Sequence, residues 1–269
     1  MAETESPPSE PFISHRDYLH WSSDPTASEP TSTLVLTTRT RRFIDIRIHK
    51  PRPGEPDLPN EGGPLSRLKW SFAGRSHTSL RPATPSSPLP TSFILHCTWH
   101  HWIDSHAPAY RDTDVSDSGD LFPQPDGRTL EKGTMRNPAT GREEGYEEMW
   151  RDEDVTCIGK EGGRKAVVLE LSERDEEGRE WARGMVVRVG RWVQGMVKVV
   201  IRGEGEVGKE ATEVSCERWE WMERQGWERK VKVGRLWLPC CVAWEEGVEV
   251  GKEVRFGEWR WVVKEVDVW

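Results

Sequence analysis

Along this chain hydrophobic and polar residues alternate in many short runs, and hydrophobic spacing suited to a helix is scarce. The clearest run follows Gly190-Arg191-Trp192-Val193-Gln194-Gly195 and continues from Met196 to Ile201, with glycines at either end, so it reads as one strand and its turns. In residues 43–48, Ile44, Ile46 and Ile48 fall on one face, and together with residues 33–37 they predict a hairpin. Leu68, Trp70 and Phe72 share a face in the next predicted strand, and residues 92–103 form another. Residues 104–144 are polar and dotted with Asp, Gly and Pro, which predicts turns and a long surface excursion. Residues 146–151 read as the last strand of a first unit. A second unit then offers strands at 166–171, 184–189, 194–201, 213–222, 229–233, 236–244 and 253–268, the last interrupted at Gly257. Residues 173–183 are polar and split by Gly178, and read as a loop or a single turn.

Many short strands at this spacing indicate barrels or sandwiches. Fifteen tryptophans, ten of them between Ala166 and Trp269, favour barrels. Indoles two residues apart, as at Trp219 and Trp221 or Trp259 and Trp261, can fill a narrow lumen or plug its ends. The fold class is therefore all-β, with two tandem antiparallel β-barrels. The predicted division is a disordered tail over residues 1–15, an N-terminal barrel over 16–155 and a C-terminal barrel over 156–269.

Composition narrows the function. A net charge of −8 argues against a nucleic-acid partner, because Lys and Arg here mostly alternate with Asp and Glu. No run is apolar enough to insert in a membrane as a helix, and the start lacks the pattern of a secretory signal. Five irregularly spaced cysteines, Cys97, Cys157, Cys216, Cys240 and Cys241, suit a reducing compartment, cytosolic or nuclear.

The chemical motifs fail one by one. Residues 203–210 satisfy a glycine-rich phosphate-loop pattern, but Glu210 stands where a hydroxyl should meet magnesium, and Glu204 and Glu206 would repel phosphate. His96, His100, His101 and His106 lie near Cys97 and Asp104, yet strand alternation turns them to different faces, so no metal site is predicted. Cys97 has no oriented base, and Cys240-Cys241 reads as packing at a bend. Residues 112–120 offer serine and threonine among acidic neighbours, a candidate for acid-directed phosphorylation on a loop. No catalytic residue or cofactor is predicted, and the chain reads as a non-enzyme.

Several short segments carry a resemblance that covers the chain from about residue 33 onward. Lys69-Trp70-Ser71-Phe72-Ala73-Gly74, Trp99-His100-His101-Trp102, Asp120-Leu121-Phe122-Pro123, Glu147-Glu148-Met149-Trp150, Gly190 to Gly195 and Trp259-Arg260-Trp261-Val262-Val263 resemble, in order, motifs of the fungal Hri protein family. The resemblance implies tandem lipocalin-like barrels, residence in cytoplasm and nucleus, and no assigned activity. It also implies association with a casein kinase I homologue and with a component of the Sec translocation machinery. The Pro/Ser-rich stretch 75–90 and the histidines around Trp99 depart from the family pattern, so partner contacts do not transfer by position.

The first expectation is a protein-interaction module, with Trp70, Trp99, Trp102, Arg191, Trp192 and Gln194 as candidate barrel-rim or interaction residues. The alternative is a carrier that holds a small apolar ligand in one barrel. The two differ in one respect: indoles that fill the lumen rule out the carrier, and indoles that line a void favour it.

Overall fold

The computed structural model describes residues 10–55, 57–83, 92–107, 115–159, 162–202 and 210–269. Eight strands form a closed antiparallel barrel in sequence order: β1 (Phe12–Trp21), β2 (Thr31–Thr37), β3 (Arg42–His49), β4 (Leu68–Pro82), β5 (Phe93–Asp104), β6 (Val115–Pro123), β7 (Thr129–Arg136) and β8 (Glu143–Glu153). Pairing of β1 with β8 completes the ring, Ile13 lying opposite Glu153 and Trp21 opposite Tyr146.

The second unit is a curled seven-stranded antiparallel sheet. Its strands are β9 (Lys165–Arg174), β10 (Glu180–Val189), β11 (Trp192–Arg202), β12 (Glu210–Met222), β13 (Gly226–Val233), β14 (Glu253–Phe256) and β15 (Trp259–Val268), in the order β13-β12-β11-β10-β9-β15-β14. The all-β expectation of two tandem barrel units holds, the first a full ring and the second a half-barrel. Among the described residues, no helix is long and apolar enough to cross a membrane.

Strand alternation gives each unit two faces with different tasks. Leu34, Leu36, Ile44, Ile46 and Ile48 turn outward from the first barrel and share one buried cluster with Val168, Met185, Val187, Met196 and Cys216 of the second sheet. On the opposite face of that sheet, Val167, Leu169, Val186, Val193 and Val197 pack with Leu238, Cys240 and Val242. Trp261 fills this cluster and is fully buried. Gly184 makes room for it, since a Cβ there would stand 2.3 Å from the indole.

Four segments differ from expectation. Residues 12–15 belong to β1 rather than to a disordered tail, with Ile13 fully buried in the joint between the units. Within the supposed excursion 104–144, residues 115–123 and 129–136 are β6 and β7, staves of the ring. Instead of a strand at 236–244, a 3₁₀ turn spans Cys240–Trp244 after Pro239, which has no N–H to give a ladder. The loop expected at 173–183 is a hairpin whose turn uses Gly178 at a φ of +77°.

A candidate ligand-binding lumen

The first barrel is not filled. A cavity of about 320 Å³ occupies one end of its lumen, lined by side chains from all eight strands. Phe43, Phe72, Trp99, Leu121 and Trp150 supply apolar surface, and Ser14, Thr37, Thr78, Asp45, Arg47, Asp117 and Glu131 supply polar groups. Alternation in β3 produces this directly: the isoleucines of Ile44-Asp45-Ile46-Arg47-Ile48 face the joint, so Asp45 and Arg47 face the lumen.

Ionic groups extend below the cavity. Arg47 donates to Asp45 Oδ2 through Nε at 2.9 Å and to Glu148 Oε1 through Nη1 at 3.2 Å. Glu148 also takes a hydrogen bond from Arg16, which in turn binds Glu29 at 2.6 Å and Thr31 Oγ1 at 3.0 Å. Burial raises the Asp45 carboxyl above its usual range, and the neighbouring Arg47 only partly opposes this. Asp45 Oδ1 is buried and has no hydrogen-bond partner.

Glu131 accepts from Tyr146 Oη at 2.8 Å and from Trp150 Nε1 at 3.0 Å. Burial, and then the nearby Glu148 carboxylate, raise its carboxyl well above the usual value. The Tyr146 ring lies where a Cβ on Gly133 would come within 2.5 Å, so a glycine in β7 is what seats it.

His101 bridges Asp104, through Nδ1 at 2.8 Å, and Asp117, through Nε2 at 3.2 Å, while stacking on Phe72 at 4.2 Å between centroids. Burial opposes its charge, but the hydrogen bonds to Asp104 and Asp117 outweigh this and raise its pKa to about 9. His96 pairs instead with Asp120, and His106 stacks on Trp70 at 5.4 Å. Cys97, a lining residue, has its thiol pushed up to about 12 by burial.

Of the six candidate residues, Trp99 alone lines the cavity. Trp70 sits deeper, its Nε1 donating to Asp104 Oδ1 at 2.9 Å and its ring beneath the Arg47 guanidinium at 5.1 Å. Trp102 lies in the joint under Arg183. Arg191 and Trp192 both bind Glu153 Oε1, at 2.7 and 3.0 Å. Gln194 is fully buried in the joint rather than at a rim, donating to the main-chain oxygen of Leu34 at 2.8 Å.

Asp45, Arg47, Glu131 and Glu148 were not singled out from the sequence, although charged residues alternating with isoleucines in β3 were the available sign. The phosphate-loop-like segment 203–209 and residues 112–114 of the acidic segment lie outside the described residues. The remainder of that acidic segment is strand β6, with Ser116 exposed. A second hollow of about 430 Å³ lies beside residues 156–159, but its lining includes the exposed side chains of Cys157, Glu223, Arg224 and Gln225.

Comparison with known proteins adds two findings. A family model described as Protein HRI1 matches residues 12–265. The crystal structure of an uncharacterized protein from Saccharomyces cerevisiae, YLR301w, is similar with a TM-score of 0.65, covering 97% of this chain and 100% of that one at 17% identity. At that identity the likeness speaks for the fold alone. No curated protein matches.

Proposed function

The chain belongs to the HRI1 family, and we propose that within this fold its first barrel carries one small amphipathic molecule, held without covalent chemistry. The observation that carries this reading is the unfilled lumen: Trp99 and Trp150 line a void of about 320 Å³ instead of occupying it. Pockets of this size, largely apolar with a few convergent polar groups, suit small organic molecules. A binding role also fits Cys97, whose thiol stays protonated at physiological pH and is a poor nucleophile.

Native mass spectrometry of the full chain, isolated from the cells that make it, tests the reading. The expected result is a co-purifying small mass that is lost when Val35→Trp or Thr78→Trp fills the lumen. An apo chain, with no thermal stabilisation by any simple amphiphile whatever its head group, would overturn it.

The open lumen is what supports the carrier reading here over the protein-interaction module. A second reading keeps the interaction role, with a casein kinase I homologue and a Sec component as partners and residence in cytoplasm and nucleus, on the strength of the family resemblance. One surface feature favours it: Trp237 is 52% exposed between Arg229 and Lys232, whose charged groups lie 4.9 and 5.0 Å from its ring. Exposed indoles flanked by cations are common anchors of protein interfaces. Capture of those two partners by the wild-type chain and their loss with Trp237→Ala is the expected result. Equal capture by both chains would remove Trp237 from the interface.

A further inference from the structure

The lining of the lumen is graded along the barrel axis. In β3 the inward positions run from Phe43 near the mouth through Asp45 to Arg47, and in β5 they run from Cys97 through Trp99 to His101. In these two strands Asp45, Arg47 and His101 therefore lie deep and Phe43 and Cys97 lie toward the mouth, where Arg41 and Asp152 also stand at the edge of the lining.

The gradient continues beyond the ring. β4 pairs with β3 only as far as Arg75 opposite Arg42, whereas its pairing with β5 runs on to Pro82 opposite Phe93. The β4–β5 hairpin thus overhangs the mouth. Its Leu80 and Leu95 are cross-strand partners at the same alternation as the lining residues Thr78 and Cys97, and Leu95 is also opposite the lining residue Leu121. Leu80 is 69% exposed and Leu95 37% exposed, so the lumen's apolar wall extends into solvent on this hairpin. Large apolar side chains in such a position mark a surface that is covered in use.

Charge selects the head group. Asp45, Asp117, Glu131 and Asp152 line the cavity against the guanidinium groups of Arg41 and Arg47, with the His101 ring paired to Asp117 beneath them. Asp117 is occupied by His101, Asp152 by Ser14, and Glu131 by Tyr146 and Trp150. Asp45 alone keeps an oxygen that is buried and unpartnered, and such an atom is costly unless something donates to it. An anionic head would enter a site where carboxyls outnumber cations. An ammonium brings three donors and no acceptor, which suits an excess of acceptors.

Building on the carrier reading, we infer that the molecule carried is a long-chain primary amine bound head first. Its ammonium donates to Asp45 Oδ1, and its alkyl chain runs out past Phe43, Trp99 and Leu121 onto Leu80 and Leu95.

Titration of the full chain with decylamine, decanoate and decanol, followed by tryptophan emission and calorimetry, tests this. Decylamine should bind at least about tenfold more tightly than decanoate. Asp45→Asn should abolish that preference while leaving decanol binding unchanged. Leu80→Ser with Leu95→Ser should weaken tetradecylamine more than hexylamine. Equal or tighter binding of decanoate or decanol by the wild type would overturn the amine assignment and leave the carrier reading standing. Failure of all three to bind would remove the carrier reading itself. Should Asp45→Asn not fold, the wild-type comparison of amine with carboxylate decides the matter alone.

Discussion

Gln194 Oε1 accepts a hydrogen bond from Arg218 Nε at 2.8 Å, and both side chains then reach across to main-chain carbonyls of the first barrel. Gln194 binds the oxygen of Leu34, and Arg218 binds those of Ser32 and Ile46. The two units are thus joined by buried donors as well as by the apolar cluster around Ile44 and Met196. Gln194→Leu leaves the Arg218 guanidinium short of an acceptor inside the joint, with an expected loss of ~2 kcal/mol. Urea unfolding followed by tryptophan emission and by circular dichroism should give coincident single transitions. Separate transitions for the two units would contradict a shared core.

The His101 pKa of about 9 links stability to pH. Because the folded value lies above the unfolded one of about 6.5, the contribution is complete below that pH and is lost as pH rises toward 9. Its size is on the order of 3 kcal/mol. Lys198 acts in the opposite sense over an overlapping range, since burial lowers its pKa to about 8 and the folded state gains as it deprotonates. The comparison must therefore be made by difference. Subtracting the profile of His101→Gln from that of the wild type should leave a fall between about pH 6.5 and 9. A flat difference would show that the Asp104 and Asp117 contacts do not hold the charged ring.

Gly184 lies against the face of Trp261, so Gly184→Val forces β10 and the indole apart. The expected cost is about 3 kcal/mol, read as a lower urea midpoint with an unchanged slope. Pairing it with Trp261→Leu should restore part of the loss, because the two changes share one volume. Strict additivity would show that the ring does not occupy the space above Gly184.

How legible each strand was in the sequence depended on which way its apolar residues point. β3, β10, β11 and β15 were readable because they carry aliphatic or indole side chains at alternate positions. β1, β6 and β7 were not, since their inward positions include Ser14, Asp117 and Glu131. A polar lumen removes the signal by which a strand is normally recognised. The same fact hid the site: Asp45 and Arg47 fall on the face of β3 opposite its isoleucines, where charged residues ordinarily meet solvent, yet both are buried. Trp99 was visible as an indole, but only the closed ring shows that it borders an empty volume. The segment 236–244 misled in the other direction, because its apolar residues cover the second sheet without joining it.

The cysteines divide sharply by accessibility. Cys157 and Cys241 are exposed, while Cys97, Cys216 and Cys240 are buried. Burial pushes the Cys97 and Cys216 thiols to about 12, and it raises Cys240 as well. Iodoacetamide at pH 8 should therefore label the native chain at Cys157 and Cys241, and reach the other three only after unfolding. Mass spectrometry of the digests reads the result directly. Fast native labelling of Cys97 would mean that the lumen opens more widely than its walls suggest.

The ring of the first barrel shuts only when β1 meets β8, bringing Ser14 to Asp152 across 138 positions of sequence. Contacts of that separation form late, after the loop between them has been brought together. During synthesis, then, β1 leaves the ribosome with one of its two edges unpaired and waits for most of the first unit to follow. Thr38 waits longer still, for Glu265 of β15, 227 positions further along. Chaperone protection of an open β-edge during this interval is a demand the architecture places on the cell, and it disappears once the last strand is laid down.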